Sequence, residues 1–479
     1  MTPEPKQIVR LDLLRCPYCK GRFTFASVER PALGRGEFGL LRCTCSTFPV
    51  VDGIPIIQRT NVGMFEHTQG TSEVDGVPVG QLVKLIETGA AERALLECVS
   101  LPPDLAGSIQ GLVGWRRARH PAVTALARAV GRWRFVAKVL RSRDAMSASD
   151  VLEYYYLKGG PLHPTLGHYF IRRFGQPRHL AALSLAATVP AGSKPVLDIA
   201  AGIGHIEHYL TSRSDPVDVV GLDMNFYHLW IARHWMAPSA WFICANASDG
   251  LPFVDDAFSA TICSDAYHLI GNRKTMLAEV ERCAPARMVV LTRVGNSAVM
   301  PNEGNERTLD EYLAEFGVAS VRAFEEGELV RHYLRRNDPL GEAALPERQL
   351  RSSKWFSFAW NVPDTRARSI HSDAVPPHAV GALGYNPIYV QEPRIDGGVR
   401  LRFEFPHPWY AYENHGMLAY HPRVVTLSRE ESRSLTSTGS RELVESLIDS
   451  FVVLGLPSRF SRDLISAPPA GRPTDALSG

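Results

Sequence analysis

The sequence predicts an α/β protein built on a doubly wound parallel sheet, with a small cysteine-bearing module and a helical segment before it and an α+β extension after it. Three observations predict this. Residues 195–199 make a short apolar run holding one acid, followed by small residues and the amphipathic stretch 206–210, which is the pattern of a buried strand, a tight turn and a helix. Further apolar runs follow at 217–222, between Phe258 and Asp265, and at 287–294, with mixed stretches between them. Finally, Cys16, Cys19, Cys43 and Cys45 crowd into residues 11–57, a length that cannot build a sufficient core of its own.

The turn after the first strand reads DIAAGIGH from Asp198. Small residues belong there if a ligand lies against the backbone, because a Cβ at Gly202 or Gly204 would fill its space. The following helix contributes free N–H groups at its start. A nicotinamide or flavin turn would carry a third glycine at position 207, and that residue is Glu207. The strand at 217–222 runs into Asp223, an acid placed to accept from both hydroxyls of a ribose, a feature NAD-type sites share.

Asp198, Ala200, Gly202 and Gly204, followed by GLDM at 221–224 and CANASDGLPFVDDAFSATICSDAYHL at 244–269, resemble the ordered motifs of the class I S-adenosylmethionine (SAM) methyltransferases over about a hundred residues. Ala200 stands where that family usually has glycine and crowds the turn. The resemblance implies a Rossmann-like, seven-stranded methyltransferase sheet and SAM as cofactor. It places SAM against Asp198, Ala200, Gly202 and Gly204, with Asp223 and Met224 at the ribose, Asn246 and Ala247 at the adenine, and Ser264 closing strand four.

The 479 residues suffice for two to four domains, and 45% hydrophobic with 21% charged residues is ordinary for a soluble globular chain. A formal charge of +2 gives no bulk attraction to nucleic acid. No apolar run approaches a membrane span, and MTPEPKQIVR lacks an apolar signal core, so the expected location is the cytoplasm. In that compartment the clustered cysteines read as metal ligands, and the scattered Cys98, Cys244, Cys263 and Cys283 as small core residues.

Residues 1–60 read as a zinc-ribbon domain, in which Cys16, Cys19, Cys43 and Cys45 converge on one tetrahedral Zn²⁺. LLRCPYC and the close FPVVDGIP resemble the small zinc-ribbon family that includes the activator subunit of several tRNA and protein methyltransferases. Four thiolates leave zinc no open position, so the ribbon is expected to be structural or to dock a partner protein, apart from the cofactor site.

Residues 61–149 read as a helical connecting segment with helices at 79–99 and 121–141, the second presenting Val123, Leu126, Val130, Trp133 and Leu140 as its apolar face. Nine basic residues and no acid lie between Trp115 and Arg143, which suits either a solvated face or one for RNA, an anionic carrier or a membrane surface. Residues 150–365 read as the catalytic domain; the resemblance implies that its opening segment, with Tyr154, Tyr155, Tyr156, His163, His168 and Tyr169, lids the pocket, and a helix follows at 179–187. Beyond strand five come a helix at 309–316, a strand at 318–324, a charged insertion at 327–354 and a last strand at 355–360. Residues 366–479 begin with a linker at 366–380 and hold a half-buried strand at 399–405, pairing with 385–390 across Asp396-Gly397-Gly398, and a helix at 441–454. An aromatic loop at 407–415 reads as substrate wall or packing under the ribbon, and the last fifteen residues as disordered.

The combined expectation is a SAM-dependent methyltransferase acting on a small-molecule acceptor by O- or N-methylation. His268 is the expected base, with Tyr267 or Asp265 orienting it and His163 and His168 as rivals. An RNA or protein methyltransferase with a fused activator-like ribbon is the enzyme alternative, its nucleic-acid contact unsupported by net charge. A non-catalytic adaptor with the same fold is the alternative of another class.

Overall fold

A computed structural model describes residues 9–67, 71–100, 121–157, 164–300, 305–318, 320–341, 345–362, 375–435 and 441–466. His163, Arg116, Arg117, Arg119, positions 366–374 of the linker and nearly all of the tail lie outside them.

The N-terminal module is a four-stranded antiparallel sheet of β1 (Thr24–Val28), β2 (Phe38–Arg42), β3 (Thr47–Val51) and β4 (Ile54–Pro55), in that order. Asp52 and Gly53 join β3 to β4, both with positive φ, as the tightest hairpin turns require. A hairpin of β5 (Val62–His67) and β6 (Thr71–Val77) follows. The helix expected over 79–99 is two, Val79–Glu87 and Ala91–Val99, because the chain turns at Gly89 with φ 77°.

Around helix Pro121–Lys138, among the described residues, only the end of the expected stripe, Leu140, is buried. Leu126 and Trp133 are 64% and 71% exposed, whereas Phe135 and Val139 are buried. Phe135 lies against Tyr154, Tyr155 and Trp230, and a helix with apolar residues on two sides commits to the side its neighbours complement. The three adjacent tyrosines correct the lid expectation. They fall in helix Ala148–Tyr156, whose inward stripe of Val151, Leu152, Tyr155 and Tyr156 is core.

The central sheet has seven strands: β7 (Val196–Ile199), β8 (Val219–Asp223), β9 (Trp241–Cys244), β10 (Ala260–Ser264), β11 (Met288–Gly295), β12 (Arg322–Glu325) and β13 (Trp355–Trp360). Their order is β12-β13-β11-β10-β7-β8-β9, and β13 alone runs against its neighbours. It is a doubly wound, Rossmann-like sheet, with its topological switch between β7 and β10. The described parts of 327–354 are helical, as expected. Helix Glu326–Arg335 packs against helix Pro177–Ala186 in the layer beside the sheet, with Leu329, Val330 and Tyr333 buried.

The ribbon joins this sheet by its backbone. Ile57 N–H donates to the Cys244 carbonyl (2.8 Å), so the chain after β4 continues the sheet beyond β9. A second contact runs from Arg15 N–H to the Pro252 carbonyl (3.0 Å) and from Val254 N–H to the Leu13 carbonyl (2.9 Å). Asp52, wholly buried, ties the two together: Oδ1 accepts from the amides of Arg35 and Gly36 (2.6 Å each), and Oδ2 from Trp230 Nε1 (3.0 Å) and His234 Nε2 (2.8 Å). Burial pushes the His234 imidazole down to about 4, so at neutral pH it donates as a neutral ring. Burial alone would raise the Asp52 carboxyl, but these donors and Arg233 at 4.0 Å hold it well below the ordinary range.

The C-terminal extension has a core of its own, including Ile388, Leu401, Tyr410, Met417 and Val452. Strand Tyr389–Pro393 pairs with Val399–Phe403 across the expected turn, while Ala382–Tyr385 pairs instead with Val453–Leu456. The helix expected over 441–454 therefore stops at Asp449. Residues expected as an aromatic loop form helix Pro408–Glu413, capped by His407 Nδ1 accepting from Trp409 N–H (3.1 Å). That helix meets Arg178 and Arg293 on the far half of the sheet from the ribbon, so it does not pack beneath the ribbon.

Candidate functional site

The carboxyl ends of β7, β8 and β10 converge on the turn at 200–204. Ala200 N–H and Ala201 N–H both donate to the Leu222 carbonyl (2.7 and 3.1 Å), which folds the chain back over β8. Ala200, Gly202 and Gly204 have φ of 62°, 56° and 88°. Glycine takes this conformation freely, whereas Ala200 takes it at a cost of ~1–2 kcal/mol. Beside Gly202 an added Cβ would meet only Phe170, at 3.9 Å, so the turn is open on that side, whereas at Gly204 it would press on Ala232 at 3.1 Å.

Asp223 ends β8 with a buried carboxylate that accepts from Gly202 N–H (2.9 Å) and Asn225 N–H (2.8 Å). Burial pushes it up to about 6 against those two bonds. Each oxygen keeps acceptor capacity for a hydroxyl. Met224 follows, half-buried, its carbonyl facing the Cys244 thiol at 3.5 Å. Ala245 N–H donates to the Asp223 carbonyl (2.9 Å), which brings Asn246 and the buried Ala247 to the same end. Asn246 Oδ1 caps the short helix Ala247–Asp249 by accepting from Ser248 N–H (2.9 Å), which fixes this half-buried side chain at the end of β9.

Asp198 is 2% exposed and faces the fully buried Glu207. Burial pushes Asp198 up to about 8, against the pull of Arg173, and pushes Glu207 up as well, with Asp198 adding to it. Two adjacent buried carboxyls cannot both ionise, so the pair holds a proton at neutral pH. Asp198 Oδ1 is fully buried, and the proton shared with Glu207 ties the two carboxyls together at the end of β7. Glu207 also explains why no third glycine is needed: its Oε1 lies 2.5 Å from where a Cβ on Gly221 would stand, so strand β8 supplies the small residue instead.

Beyond β10 the site becomes ionic. Ser264 Oγ accepts from Arg173 Nη2 (3.3 Å) and Thr292 Oγ1 (3.0 Å). Asp265 sits within 3.0–3.3 Å of Arg173, Arg178 and Arg293 and accepts from the Tyr169 hydroxyl (2.9 Å). Burial would raise its carboxyl, but the three guanidiniums outweigh that and hold it below the usual range. Asp265 is thus fixed as an anion and is poorly suited to take a proton. Burial lowers Arg173 to about 10, which leaves it charged.

The expected catalytic pair separates. His268 is buried beside Trp355, with ring centroids 6.0 Å apart. Tyr267 turns away: its hydroxyl donates to Glu315 (2.9 Å), so it does not orient His268. His168 faces Arg172 (3.1 Å), and burial and that guanidinium lower it. Sequence reasoning missed Arg173, Arg178, Arg293 and Glu413. Arg293 had a signal, an arginine inside the apolar strand MVVLTRVG, but Glu413 lies 120 residues away with none.

Away from the sheet, the four sulfurs of Cys16, Cys19, Cys43 and Cys45 lie within 4.8 Å of one another. Cys45, one residue from Cys43, is in the cluster, 3.7 Å from Cys16 and 3.6 Å from Cys43. Thiolates about 2.3 Å from a tetrahedral Zn²⁺ stand at such separations.

Residues 196–285 match the family described as methyltransferase domain. The chain carries a methyltransferase domain. The phthiotriol/phenolphthiotriol dimycocerosates methyltransferase of Mycobacterium tuberculosis is 33% identical over 99 residues, 20% of this chain. Only 36% of that relative's length is spanned. Among solved structures, a TehB-like SAM-dependent methyltransferase from Corynebacterium glutamicum matches at 17% identity and TM-score 0.27, over 38% of this chain and 85% of its own. Haemonchus contortus phosphoethanolamine N-methyltransferase 2, in complex with S-adenosyl-L-methionine, matches at 15% and 0.28, over 47% and 58%. Among the described residues, no helix is long and apolar enough to cross a membrane.

Proposed function

We propose that the chain is a SAM-dependent methyltransferase of a small-molecule acceptor, with a zinc ribbon fused to its own catalytic domain. The observation that carries the reading is the joint of Asp223 and the turn: one buried carboxylate fixes Gly202 N–H while retaining acceptor sites for a ribose. When bound, SAM supplies an electrophilic methyl group on a sulfonium. Asp223 would hold the ribose, Asn246 the adenine edge, and the backbone at Ala200–Gly204 the chain between, with Asp198 bounding the turn from beneath. Ser264 bounds the floor. A small acceptor is supported by the name of the mycobacterial relative, which refers to a phthiotriol and not to a protein or nucleic acid. The adaptor reading is disfavoured by the ribbon's Asp52 face, which its own chain already covers.

Calorimetric titration with SAM tests this. Leaving a desolvated hydroxyl pair unpartnered costs ~1–3 kcal/mol, so Asp223→Ala should weaken binding about tenfold or more. Binding should also weaken as pH falls through about 6, where the Asp223 carboxyl protonates and loses acceptor strength. An affinity flat from pH 7 to pH 5 would place the ribose elsewhere.

His268 is the proposed base for a hydroxyl acceptor, since it leaves β10 next to the turn and Trp355 holds its ring. His268→Ala should lower turnover ~10²-fold with SAM affinity nearly intact. Wild-type turnover at saturating acceptor would remove it from the mechanism.

A further inference from the structure

Three buried guanidiniums gather over the carboxyl ends of β10 and β11, where ligands of doubly wound sheets sit. Arg173, Arg178 and Arg293 are 5%, 7% and 3% exposed. The backbone is bent to put them there. Asp265 and Arg293 take φ of 60° and 52°, and β11 bulges against β13 between Leu291 and Val294, which turns Arg293 out of the strand's alternation. Non-glycine residues in this conformation and bulges beside sites are places where a fold carries strain for a function.

The cluster has two kinds of anion. Asp265 belongs to the sheet and Glu326 opens the helix beside it, and both are fixed to their guanidiniums. Glu413 comes from the C-terminal extension, as the last residue of a six-residue helix. Its single carboxylate is held by Arg293 Nη2 (2.7 Å), Arg178 Nη2 (3.3 Å) and Lys354 Nζ (3.4 Å). Without Glu413, four cations (Arg173, Arg178, Arg293, Lys354) would face two carboxylates (Asp265, Glu326) in a largely dry setting. Such a centre demands an anion. It also adjoins the proposed base: the Arg293 guanidinium stacks on Trp355 at 3.9 Å, and Trp355 is the ring neighbour of His268. Arginine forks match a planar carboxylate in two-point contact.

We propose that this cradle is the seat for a carboxylate on the methyl acceptor, and that Glu413 fills it in the free protein as an internal stand-in that the acceptor displaces. The inference rests on the methyltransferase reading above and adds the acceptor's chemical class. Displacement would release helix Pro408–Glu413, which is otherwise held by the Tyr410 hydroxyl accepting from Gln176 Nε2 (3.0 Å).

The test is calorimetric titration of benzoate, inorganic phosphate and, separately, SAM into the full chain. Benzoate should bind Glu413→Gln at least tenfold more tightly than wild type, and adding Arg178→Gln should remove the gain. Phosphate should gain less than benzoate, and SAM affinity should change less than threefold throughout. No gain in Glu413→Gln, or a gain that survives Arg178→Gln, overturns the proposal. Phosphate binding more tightly than benzoate overturns the carboxylate class. If Glu413→Gln does not fold, Tyr410→Phe, which keeps every charge and only loosens the helix, should bind benzoate about threefold more tightly than wild type, and no gain there overturns the proposal. Failure of wild type to bind SAM would instead strike the underlying reading.

Discussion

The ribbon and the C-terminal extension both fasten to the methyltransferase domain, but by different physics. The ribbon uses backbone hydrogen bonds to Cys244 and Pro252 and one carboxylate, Asp52, whose four close donors are all N–H groups on neutral partners. The extension uses hydroxyls, Tyr410 on Gln176 and Tyr420 on the Gly175 carbonyl (3.0 Å), and the fully charged contact of Glu413 with Arg178 and Arg293. The ribbon has ion pairs too, Arg10 with Asp218, Arg15 with Asp255 and Lys20 with Glu279, but they lie at its solvated rim, whereas its buried joint at Asp52 is made with neutral donors and has water as its chief competitor. A junction of ions can be taken over by any ligand of the same charge. The first suits a permanent fixture and the second suits a part that yields to an acceptor.

Metal removal should break the comparison most severely. Structural zinc contributes ~10–16 kcal/mol to small modules, so chelation, or the Cys16→Ser/Cys19→Ser double variant, should unfold the ribbon. The ribbon was expected to stand apart from the cofactor site, but its backbone bond from Ile57 reaches Cys244, two residues before Asn246 in the proposed site. SAM affinity should therefore fall at least tenfold in the metal-free protein. A double variant that retained one zinc per chain, or a metal-free chain with unaltered SAM affinity, would refute the corresponding half of this account.

Asp52→Ala is next in size. It strands Trp230, His234 and two amides without their acceptor, and leaving buried donors unsatisfied costs ~1–3 kcal/mol each before relaxation, so a loss of ~3 kcal/mol or more is expected. Urea denaturation should show that loss. A cost below about 1 kcal/mol would mean that water replaces the carboxylate and that the ribbon junction is not the dry one described. Tyr410→Phe should be the mildest, removing two neutral hydrogen bonds at the extension, from Gln176 Nε2 and to the Arg172 carbonyl, the second long at 3.4 Å, together worth ~1–2 kcal/mol. A Tyr410→Phe protein destabilised as much as Asp52→Ala would erase the distinction between the two junctions.

The centre of the fold was legible because its signals are local. An apolar strand, an acid and small residues within ten positions define the turn at 198–204, and Asp223 follows from the end of the next strand. The strands β11 and β13 and helix Leu309–Phe316 were legible for the same reason. What was not legible is long-range. Nothing near Glu413 announces Arg293, and Tyr155 and Tyr156 resemble loop aromatics until helix Ala148–Tyr156 turns them inward. Leu126 and Trp133 have helical spacing, but periodicity does not say which stripe finds a neighbour. Tyr267 has the right position in sequence and the wrong direction, set by Glu315 forty-eight residues on.

The pairing of Ile57 with Cys244 has one more consequence. Strand β9 ends the row of parallel strands, and a bare outer strand offers unsatisfied N–H and C=O groups to any other chain. The segment after β4 blocks that template from within the same polypeptide, so a fragment beginning after residue 60 would expose it. Such a fragment should self-associate and precipitate on expression. The fused ribbon thereby acts as a solubility guard as well as a brace, and its order along the chain means that the cover is synthesised before the edge it must protect.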